Sequence, residues 1–514
     1  MVLFSIPIDR IFKPMKINKI LIANRGEIAL RILRSCKEMN IRSAVVYSDI
    51  DRTSLHVLYS EEAYSIGASP SSESYLRIDK IMDVAKIAGV DAIHPGYGFL
   101  SENAEFAKAV ADNNMLFIGP SPETIRMLGD KTKAKSIASS CGVDSVPGTS
   151  EPIDSLKSAL KNAEEIGYPV LLKAASGGGG KGMRIVTDSS TMEEMFRIAS
   201  SESEKSFGDS RVFIEKYISR PHHIEFQILA DSHGNVVHLG DRECSIQRRY
   251  QKIMEESPSP FITDEVRSKM GAHAIEIVKA AKYFSAGTVE FLVNSDMDYY
   301  FLEVNTRLQV EHTITEMRTG IDLVKEQIRI AEGNELSFTQ EDIIFSGHAI
   351  ECRITSEDTS KDFLPATGKI TSLSEPGGAG IRNDSGVRQG SEISAYYDPL
   401  MSKLVVWGRN RSESIARCSR ALSEYTIAGL PTSIPFCKKV LKSKDFLKGN
   451  YDTTLSDLLL KDTAPVDHES ERTAAVIGAT AYKVDSKPKN IFNGSSTNGN
   501  TSAWKQSGRE SSLR

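Results

Sequence analysis

The feature that most constrains the fold of this chain is a run of four glycines, residues 177–180, inside the segment KAASGGGGKGM. Such a run has no Cβ atoms to restrict its backbone, so it favours a loop over a regular helix or strand. The preceding segment YPVLLKAA and the following MRIV are both apolar and rich in strand-forming residues. The sequence therefore predicts a β-hairpin, in which a glycine loop joins two strands.

Two phosphate-binding patterns can be tested against this loop. A P-loop needs a glycine where Ala175 stands and a serine or threonine where Gly182 stands, so that pattern fails. The dinucleotide pattern GxGxxG is met by Gly177, Gly179 and Gly182, but it requires a helix next, whereas MRIV predicts a strand. A hairpin flap over ATP phosphates is the remaining phosphate-binding interpretation, with Lys173 adding a positive charge. A flexible hairpin without a ligand is the alternative.

A pair of facing carboxylates is predicted where GTVEFLV and YYFLEV form two strands joined by a short polar turn. This pairing places Glu290 nearly opposite Glu303, and like charges that face each other across strands repel. A hard divalent cation such as Mg²⁺ between the carboxylates reverses that repulsion. On the second strand we expect a polar and an apolar face, with Phe301, Glu303, Asn305 and Arg307 alternating against Leu302 and Val304. The alternative is a solvated strand face without a metal.

Charged residues that could act on a substrate follow in the segment RLQVEH. Arg307, Gln309 and Glu311 are predicted to alternate onto one side, which would put a cation and a carboxylate base beside the phosphoryl donor. A second segment, DRECSIQRRYQKIMEESPS, carries two adjacent arginines and Lys252 next to two glutamates. Taken alone, a charge cluster of this second kind is more typical of a solvated surface.

The order of strand and helix patterns divides the chain. Strands and helices alternate in the first part, which predicts an open α/β sheet, and later strands suit a mainly antiparallel sheet. The final residues are rich in Ser, Asn and Gly, which predicts disorder. We predict these segments: an N-terminal extension (1–18), an open α/β unit (19–130), a unit with the glycine run and the antiparallel strands (131–332), a C-terminal mixed unit (347–460) and a low-complexity, disordered tail (461–514).

Composition argues against several classes of partner. The net charge is −5 and no long stretch concentrates Lys and Arg, so neither nucleic acid nor an anionic membrane is expected. No apolar run approaches the roughly 18 residues that span a bilayer. The six cysteines are far apart and lack CxxC spacing, which argues against structural zinc or a disulfide framework and favours the reducing cytoplasm.

Several long motifs resemble those of biotin carboxylase, the ATP-grasp component of biotin-dependent carboxylases. They run in order from about Lys19 to about Leu460 and read ILIANRGEIALRI, HPGYGFLSEN, GDK, KAASGGGGKGMRIV, IEKY, ECSIQRRYQK, EVNTRLQVEH and GHAIECRI. The resemblance implies an α/β and α+β multidomain fold. The implied domains are a Rossmann-like N-terminal domain (19–130), an ATP-grasp domain (131–332) with a central part and a lid at about 145–218, and a biotin carboxylase C-terminal domain (347–460).

The resemblance also implies roles for individual residues. ATP would contact Lys131, Lys173, Gly179, Gly180, Met183, Glu215, Lys216, Ile218, His223, Gln247, Tyr250, Glu290, Leu292 and Glu303. Mg²⁺ or Mn²⁺ would be held by Glu290, Glu303 and Asn305. Bicarbonate would be held by Lys252, Arg307, Gln309 and Val310. The implied catalytic residues are Lys252, Arg307, Glu311 as general base, and Arg353, which would bind biotin and stabilise its enolate.

Two positions depart from the family pattern. Tyr250 stands where many relatives carry His or Asn, which leaves one ATP contact open. Thr313 stands where Pro is common. Neither departure removes a group on which the implied chemistry depends.

The implied activity is ATP- and bicarbonate-dependent carboxylation of biotin through carboxyphosphate, as the first half-reaction of an acyl-CoA carboxylase. The sequence has no lysine between methionines in a small β domain and no carboxyltransferase module. We therefore expect the biotin on a separate biotin carboxyl carrier protein and separate carboxyltransferase subunits. The resemblance itself implies a homodimer. The alternatives are the biotin carboxylase subunit of a pyruvate carboxylase, an ATP-grasp ligase acting on another carboxylate, and a catalytically silent ATP-binding subunit.

Overall fold

The N-terminal sheet forms as the alternation of strands and helices predicts, in a computed structural model that describes residues 15–149, 151–175, 183–207 and 209–461. Its elements are β1 (Lys19–Ile22), α1 (Gly26–Glu38), β2 (Arg42–Tyr47), α2 (Leu55–Tyr59), β3 (Glu62–Ser65), α3 (Ile78–Ala88), β4 (Ala92–His94), α4 (Ala104–Asp112), β5 (Leu116–Phe117) and α5 (Pro122–Gly129). The five strands are parallel, in the order β3-β2-β1-β4-β5. Ile20 and Ile22 of β1 pack in one core and Leu21 in another, so both faces of the sheet are covered.

The glycine-loop segment forms a small sheet with its own core. Its elements are α6 (Lys131–Ser140), α7 (Leu156–Ile166), β6 (Val170–Ala174), β7 (Arg184–Val186), α8 (Met192–Phe207) and β8 (Val212–Lys216). β6 pairs with β7 in antiparallel register, Val170 opposite Val186, which confirms the predicted hairpin. The loop between these strands, with Gly179 and Gly180, lies outside the described residues. A separate apolar cluster joins β6, β7 and β8 to α7 and α8, so this lid packs as a unit.

A large antiparallel sheet follows and carries most of the predicted site residues. Its first elements are β9 (His222–Ala230), β10 (Val236–Arg248), β11 (Gln251–Ser257), α9 (Asp264–Ala280), β12 (Ser285–Val293), β13 (Tyr299–Asn305), α10 (His312–Thr319) and α11 (Leu323–Ala331). Helix α9 packs its apolar residues in one cluster with β9, β12 and β13. All nine residues of β9 are buried, although Glu225 and Gln227 are among them.

The C-terminal segment extends this sheet. Its elements are β14 (His348–Thr355), β15 (Glu357–Asp358), β16 (Leu364–Pro365), β17 (Gly368–Lys369), β18 (Ser372–Ser374), β19 (Ile381–Ser385), β20 (Glu392–Ile393), β21 (Leu400–Gly408), α12 (Arg411–Glu424), β22 (Thr426–Ala428), α13 (Ile434–Lys442), α14 (Lys444–Lys448) and α15 (Leu455–Lys461). The full order is β13-β12-β9-β10-β11-β14-β21-β19. One continuous eight-stranded sheet therefore runs from the ATP-grasp segment into the C-terminal segment.

The predicted alternation of faces along β13 is wrong in its middle. Glu290 pairs with Glu303, as predicted, but the next residue of β12 pairs with Phe301, so Leu302 is an extra residue in its strand. A β-bulge of this kind shifts the side chains by one position. Phe301 and Val304, predicted on opposite faces, therefore both lie in the core of this sheet.

The two ends of the chain, its helices and its cysteines were also subjects of sequence predictions. Residues 1–14 of the predicted extension and residues 462–514 of the predicted tail lie outside the described residues. No helix in the part of the chain that the structure describes is long and apolar enough to cross a membrane. All six cysteines are free thiols.

Buried Glu256 on β11 links three parts of the C-terminal core. Its carboxylate accepts hydrogen bonds from His348 Nε2 at 2.6 Å, Arg411 Nε at 2.7 Å and Tyr451 Oη at 2.5 Å. Burial by itself would raise the pKa of Glu256. The His348 and Arg411 donors outweigh burial and lower that pKa to about 2. Glu256 is therefore a buried anion whose charge stabilises the fold.

Replacing Glu256 by glutamine is expected to lower the free energy of unfolding at pH 7 by about 3 kcal/mol, the value that corresponds to its lowered pKa. A carboxylate with a depressed pKa contributes above its unfolded pKa near 4.5 and loses that contribution as the pH falls toward 2. Urea unfolding of both proteins at pH 7 and at about pH 3 measures this, and the difference should shrink in acid. An equal difference at both pH values contradicts the prediction. Glu276→Gln, at an exposed carboxylate on α9, is the control.

Candidate active site

Lys252, near the start of β11, lies among three buried carboxylates. Its Nζ atom is 2.5 Å from Glu225 Oε2, 2.6 Å from Glu311 Oε1 and 3.2 Å from Glu290 Oε1. Burial opposes a charged ammonium, but the surrounding acidic groups outweigh it and raise the pKa of Lys252 well above its usual value. This lysine is therefore a permanent cation at the centre of the cluster.

Glu311 lies between two cations. Lys252 approaches one carboxylate oxygen and Arg353 Nη2 lies 2.9 Å from the other. Burial alone would raise the pKa of Glu311, but Lys252 and then Arg353 hold it well below its ordinary range. Arg353 also pairs with Glu255 at 2.5 Å, and burial raises the pKa of that second carboxyl to about 8 despite the arginine.

The segment that contains Glu311 is not a strand. β13 ends at Asn305, so the predicted strand-like alternation of Arg307, Gln309 and Glu311 is wrong. Gln309 and Glu311 nevertheless face the buried cluster, because Gln309 Nε2 donates to Glu290 at 2.6 Å and Glu311 binds Lys252. Arg307 instead pairs with Glu102 at 2.8 Å, a partner on the N-terminal segment. Gln309 and Glu311 of RLQVEH therefore meet Lys252 of the second charged segment in the buried cluster, through Glu290 and directly, whereas the ion pair of Arg307 is with the N-terminal segment.

The two predicted metal carboxylates face each other across β12 and β13. Glu303 keeps an exposed edge, but the strands around its carboxylate exclude part of the solvent, and this desolvation together with the charge of Glu290 raises its pKa. The contribution of Glu290 is the repulsion expected of facing carboxylates. Asn305 Nδ2 donates to Glu290 at 2.7 Å, and its amide oxygen accepts from Arg307 at 3.0 Å. Two carboxylates beside an amide are the oxygen ligands that a hard divalent cation prefers. The residues present therefore fit Mg²⁺ or Mn²⁺.

A second group of potential ligand atoms lies beside this pair. His223, Glu225 and Glu290 each offer one atom within 4.8 Å of the others. His223 Nε2 is 2.7 Å from Glu290, while Gln247 donates to His223 Nδ1 at 3.1 Å. Because Lys252 already places its ammonium within 3.2 Å of both glutamates, a cation occupies that position in the protein itself.

The predicted nucleotide residues are partly brought together. Lys173 forms an ion pair with Glu215, and Lys135 approaches the other oxygen of that carboxylate at 2.7 Å. Burial raises the pKa of Glu215, but Lys173 and Lys135 outweigh burial and lower it. Lys216 instead donates to the main-chain oxygens of Gly167 and Tyr168 at 2.9 and 3.0 Å, within the lid.

The other residues predicted to bind the nucleotide differ in their exposure to solvent. Met183, Ile218 and Leu292 are half-buried, on the lid hairpin, after β8 and on β12. Tyr250, at the turn between β10 and β11, has a positive φ of 65° and is 56% exposed. The side chain at the position that departs from the expected family pattern is therefore presented to solvent.

A cavity of about 510 Å³ opens beside Lys252 and Arg353. Its walls include Lys252, Arg307, Val310 and Arg353, together with Tyr97 of the N-terminal segment. This volume is typical of a small-molecule site. Three of the four predicted bicarbonate residues and the predicted biotin residue therefore line one cavity.

Sequence reasoning missed several charged residues that contact this site, namely Glu102, Lys135, Glu225, Arg242 and Glu255. The available signal was a charged or amide side chain inside an otherwise apolar strand. Glu225 in IEFQIL is such a residue, since it is fully buried on β9. A buried charge of this type requires a partner, but the sequence does not say which one.

An open α/β sheet, a hairpin lid and a carboxylate-lined antiparallel sheet together define an ATP-grasp ligase. Family models cover the same segments. The biotin carboxylase N-terminal domain matches residues 16–125, the ATP-binding domain of the carbamoyl-phosphate synthase L chain matches residues 130–339, and the biotin carboxylase C-terminal domain matches residues 351–457. The chain belongs to the biotin carboxylase family and is an ATP-dependent ligase.

Individual relatives are similar over most of their length. Biotin carboxylase of Nostoc sp. is 51% identical over 440 residues, which is 86% of this chain and 98% of that protein. A pyruvate carboxylase subunit of Methanothermobacter thermautotrophicus is also 51% identical, over 86% of this chain and 89% of that protein. The biotin carboxylase domain dimer of Hydrogenobacter thermophilus 2-oxoglutarate carboxylase, solved with MgADP, ADP and bicarbonate, is 45% identical with a TM-score of 0.84. It covers 88% of this chain and 100% of that one.

Proposed function

We propose that this enzyme carboxylates biotin on a separate biotin carboxyl carrier protein, using ATP, bicarbonate and Mg²⁺ or Mn²⁺, as the first half-reaction of an acyl-CoA carboxylase. The observation that carries this proposal is Glu311 held between Lys252 and Arg353 beside the cavity. That arrangement combines a carboxylate base, a cation for an anionic substrate and a second cation for an enolate. The similar solved domain with bound MgADP and bicarbonate supports it.

The nucleotide would lie between the lid and the large sheet. Lys131 and Lys173 would contact its phosphates, while the glycine loop would cover them with main-chain N–H groups. Glu290, Glu303 and Asn305 would hold the divalent cation, which supplies positive charge to the phosphate oxygens when bound. Lys173 must leave Glu215 to reach a phosphate, and Lys135 would then remain to balance that carboxylate.

In the first step, Glu311 takes the proton of bicarbonate. A bicarbonate oxygen then attacks the γ-phosphorus of ATP, the bond to the bridging oxygen breaks, and ADP leaves to give carboxyphosphate. Lys252 and Arg307 would bind the anion beside the amide of Gln309. Because Lys252 and Arg353 depress the pKa of Glu311, the carboxylate becomes a competent base only as these cations turn to substrates.

In the second step, carboxyphosphate breaks into CO₂ and phosphate within the closed site. The phosphate removes the N1′ proton of biotin, and the resulting enolate, paired with Arg353, attacks CO₂ to form carboxybiotin. A closed lid excludes water, which would otherwise hydrolyse carboxyphosphate. Arg353 is suited to this role because it already faces carboxylate oxygens at the cavity wall.

The proposed assembly is a homodimer that works with the carrier protein and with carboxyltransferase subunits. Another candidate is the biotin carboxylase component of a pyruvate carboxylase. The pyruvate carboxylase relative from Methanothermobacter thermautotrophicus favours it, since its identity to this chain equals that of the Nostoc biotin carboxylase at 51%. The two candidates share every step at this site and differ only in the acceptor used by the partner subunits.

The proposal is tested by phosphate release from MgATP with bicarbonate and free biotin each added or omitted. We expect a rate that requires bicarbonate and rises with biotin, because Glu311 acts on bicarbonate and Arg353 on the biotin enolate. Removal of the divalent cation by chelation should abolish the rate. Release that is indifferent to biotin would support an ATP-grasp ligase with another acceptor. No release in any mixture would support a catalytically silent ATP-binding protein.

A further inference from the structure

Arg242 on β10 is a fully buried arginine in the middle of the large sheet. Its guanidinium donates to Glu225 at 2.5 Å, Gln227 at 2.6 Å, Thr315 at 3.1 Å, Thr288 at 3.1 Å and Gln309 at 2.6 Å. A guanidinium has five N–H groups, and these bonds use all five. The side chain is therefore fixed in one orientation.

This orientation decides how Gln309 presents its amide. Arginine only donates hydrogen bonds, so the Gln309 atom that faces it must be the carbonyl oxygen Oε1. The amide nitrogen then faces the opposite way and donates to Glu290 Oε1 at 2.6 Å. Under the proposed function, its second N–H is the group that would donate to bicarbonate. Without Arg242, the amide could turn and present its oxygen, which repels an anion.

Arg242 also acts on Lys252 through a shared carboxylate. Glu225 accepts from Arg242 with one oxygen and from Lys252 with the other, both at 2.5 Å. The carboxylate is fully buried, so its position depends on these two cations. Arg242 therefore holds Gln309 by a direct hydrogen bond and holds Lys252 through the carboxylate of Glu225.

We infer that Arg242 is a positioning residue for bicarbonate. It orients the Gln309 amide directly and Lys252 through Glu225, so that both present N–H donors to the anion. The inference rests on the proposed function, because it assigns bicarbonate to these two residues. Arg242 does not touch the substrate, and its effect should appear in the binding of bicarbonate rather than of ATP.

The test compares the full-length protein with its Arg242→Met and Arg242→Lys variants. Initial rates of phosphate release are measured with bicarbonate varied at saturating MgATP, and with MgATP varied at saturating bicarbonate. We expect the KM for bicarbonate to rise roughly tenfold or more, the loss typical of a hydrogen bond to a charged group, with the KM for ATP within about twofold. Lysine should not rescue, because its single ammonium cannot reproduce five fixed donors.

Two further variants separate positioning from a loss of packing. Arg318→Met removes another buried arginine, which donates to Ser257 and to the main chain of Gly347, and it should not raise the KM for bicarbonate selectively. In a Gln309→Ala background, Arg242→Met should change the KM for bicarbonate less than in the wild type, because the path through Gln309 is already lost and only the path through Glu225 and Lys252 remains. Parallel changes in both KM values, or fully multiplicative effects in the double variant, would overturn the inference.

Gln309→Glu keeps the test decisive if the position 242 variants do not fold. Its carboxylate can still accept from Arg242 but offers no N–H, so we expect at least a tenfold rise in the KM for bicarbonate. A KM within about twofold of the wild type would overturn the inference. If the wild-type protein itself shows no bicarbonate dependence, the proposed function fails and the inference with it. If the wild type depends on bicarbonate but the variants do not raise the KM for bicarbonate selectively, the inference is refuted and the proposed function stands.

Discussion

Glu311→Gln is expected to slow bicarbonate-dependent phosphate release from MgATP by about 10²- to 10⁴-fold, the usual contribution of a general base. Glutamine keeps the size of the side chain but cannot accept the bicarbonate proton. Lys252 and Arg353 hold the wild-type carboxyl ionised in the unliganded enzyme, so the wild type needs no deprotonation before bicarbonate binds. Steady-state rates at saturating bicarbonate measure the loss in kcat, and biotin should not restore it.

The matched control for this prediction is Glu326→Gln. Glu326 is a buried carboxylate on α11 that pairs with Arg329, outside the candidate site. Its replacement should leave the rate within about twofold while removing one buried charge, as Glu311→Gln does. A Glu311→Gln enzyme with a rate within about tenfold of the wild type would show that another group accepts the proton.

Arg353→Met is expected to lower the biotin-stimulated rate by about 10²- to 10³-fold, the loss typical when a group that stabilises an oxyanion is removed. The rate without biotin should fall much less, because that rate does not pass through the enolate. Removing the arginine also takes a cation from Glu255 and Glu311, so the pKa values of both carboxyls should rise. The pH dependence of the remaining rate reports this second effect as a shift of its acidic limb to higher pH.

Arg420→Met serves as the control for Arg353→Met. Arg420 is a largely exposed arginine on α12 that pairs with Glu424, so its loss should change neither the basal rate nor the stimulation by biotin. Unchanged biotin stimulation in Arg353→Met would remove the enolate role from this residue. An equal loss with and without biotin would instead place Arg353 in the first step.

Local patterns predicted the parts of the fold that depend on neighbouring residues in the chain. β1 with α1, the hairpin of β6 and β7, and the antiparallel pair β12 and β13 all follow from apolar periodicity and turn residues. The bulge at Leu302 did not, because an extra residue is defined only by the pairing with β12. The end of β13 at Asn305 was not predicted either, because the alternating polar and apolar residues of RLQVEH continue the strand pattern.

The sequence also predicted only part of the candidate active site. Motif resemblance named Lys252, Glu311 and Arg353, and the structure brings these three side chains together. It did not name Arg242 or Glu225, whose partners lie on other strands and become visible only from distances between side chains. Buried polar groups on apolar strands signal that a network exists, but long-range pairing decides its members.

The eight-stranded sheet restricts where this chain can be cut into separate pieces. β11 lies in the part matched by the ATP-binding model, and it is hydrogen-bonded to β14, the first strand of the C-terminal part. Cutting the chain before β14 would leave β11 as a bare sheet edge, and it would leave β14 without its partner on the other side of the cut. Exposed edges of this kind promote aggregation. We therefore expect the two parts to fold as one unit, and a chain that is cut between them to aggregate.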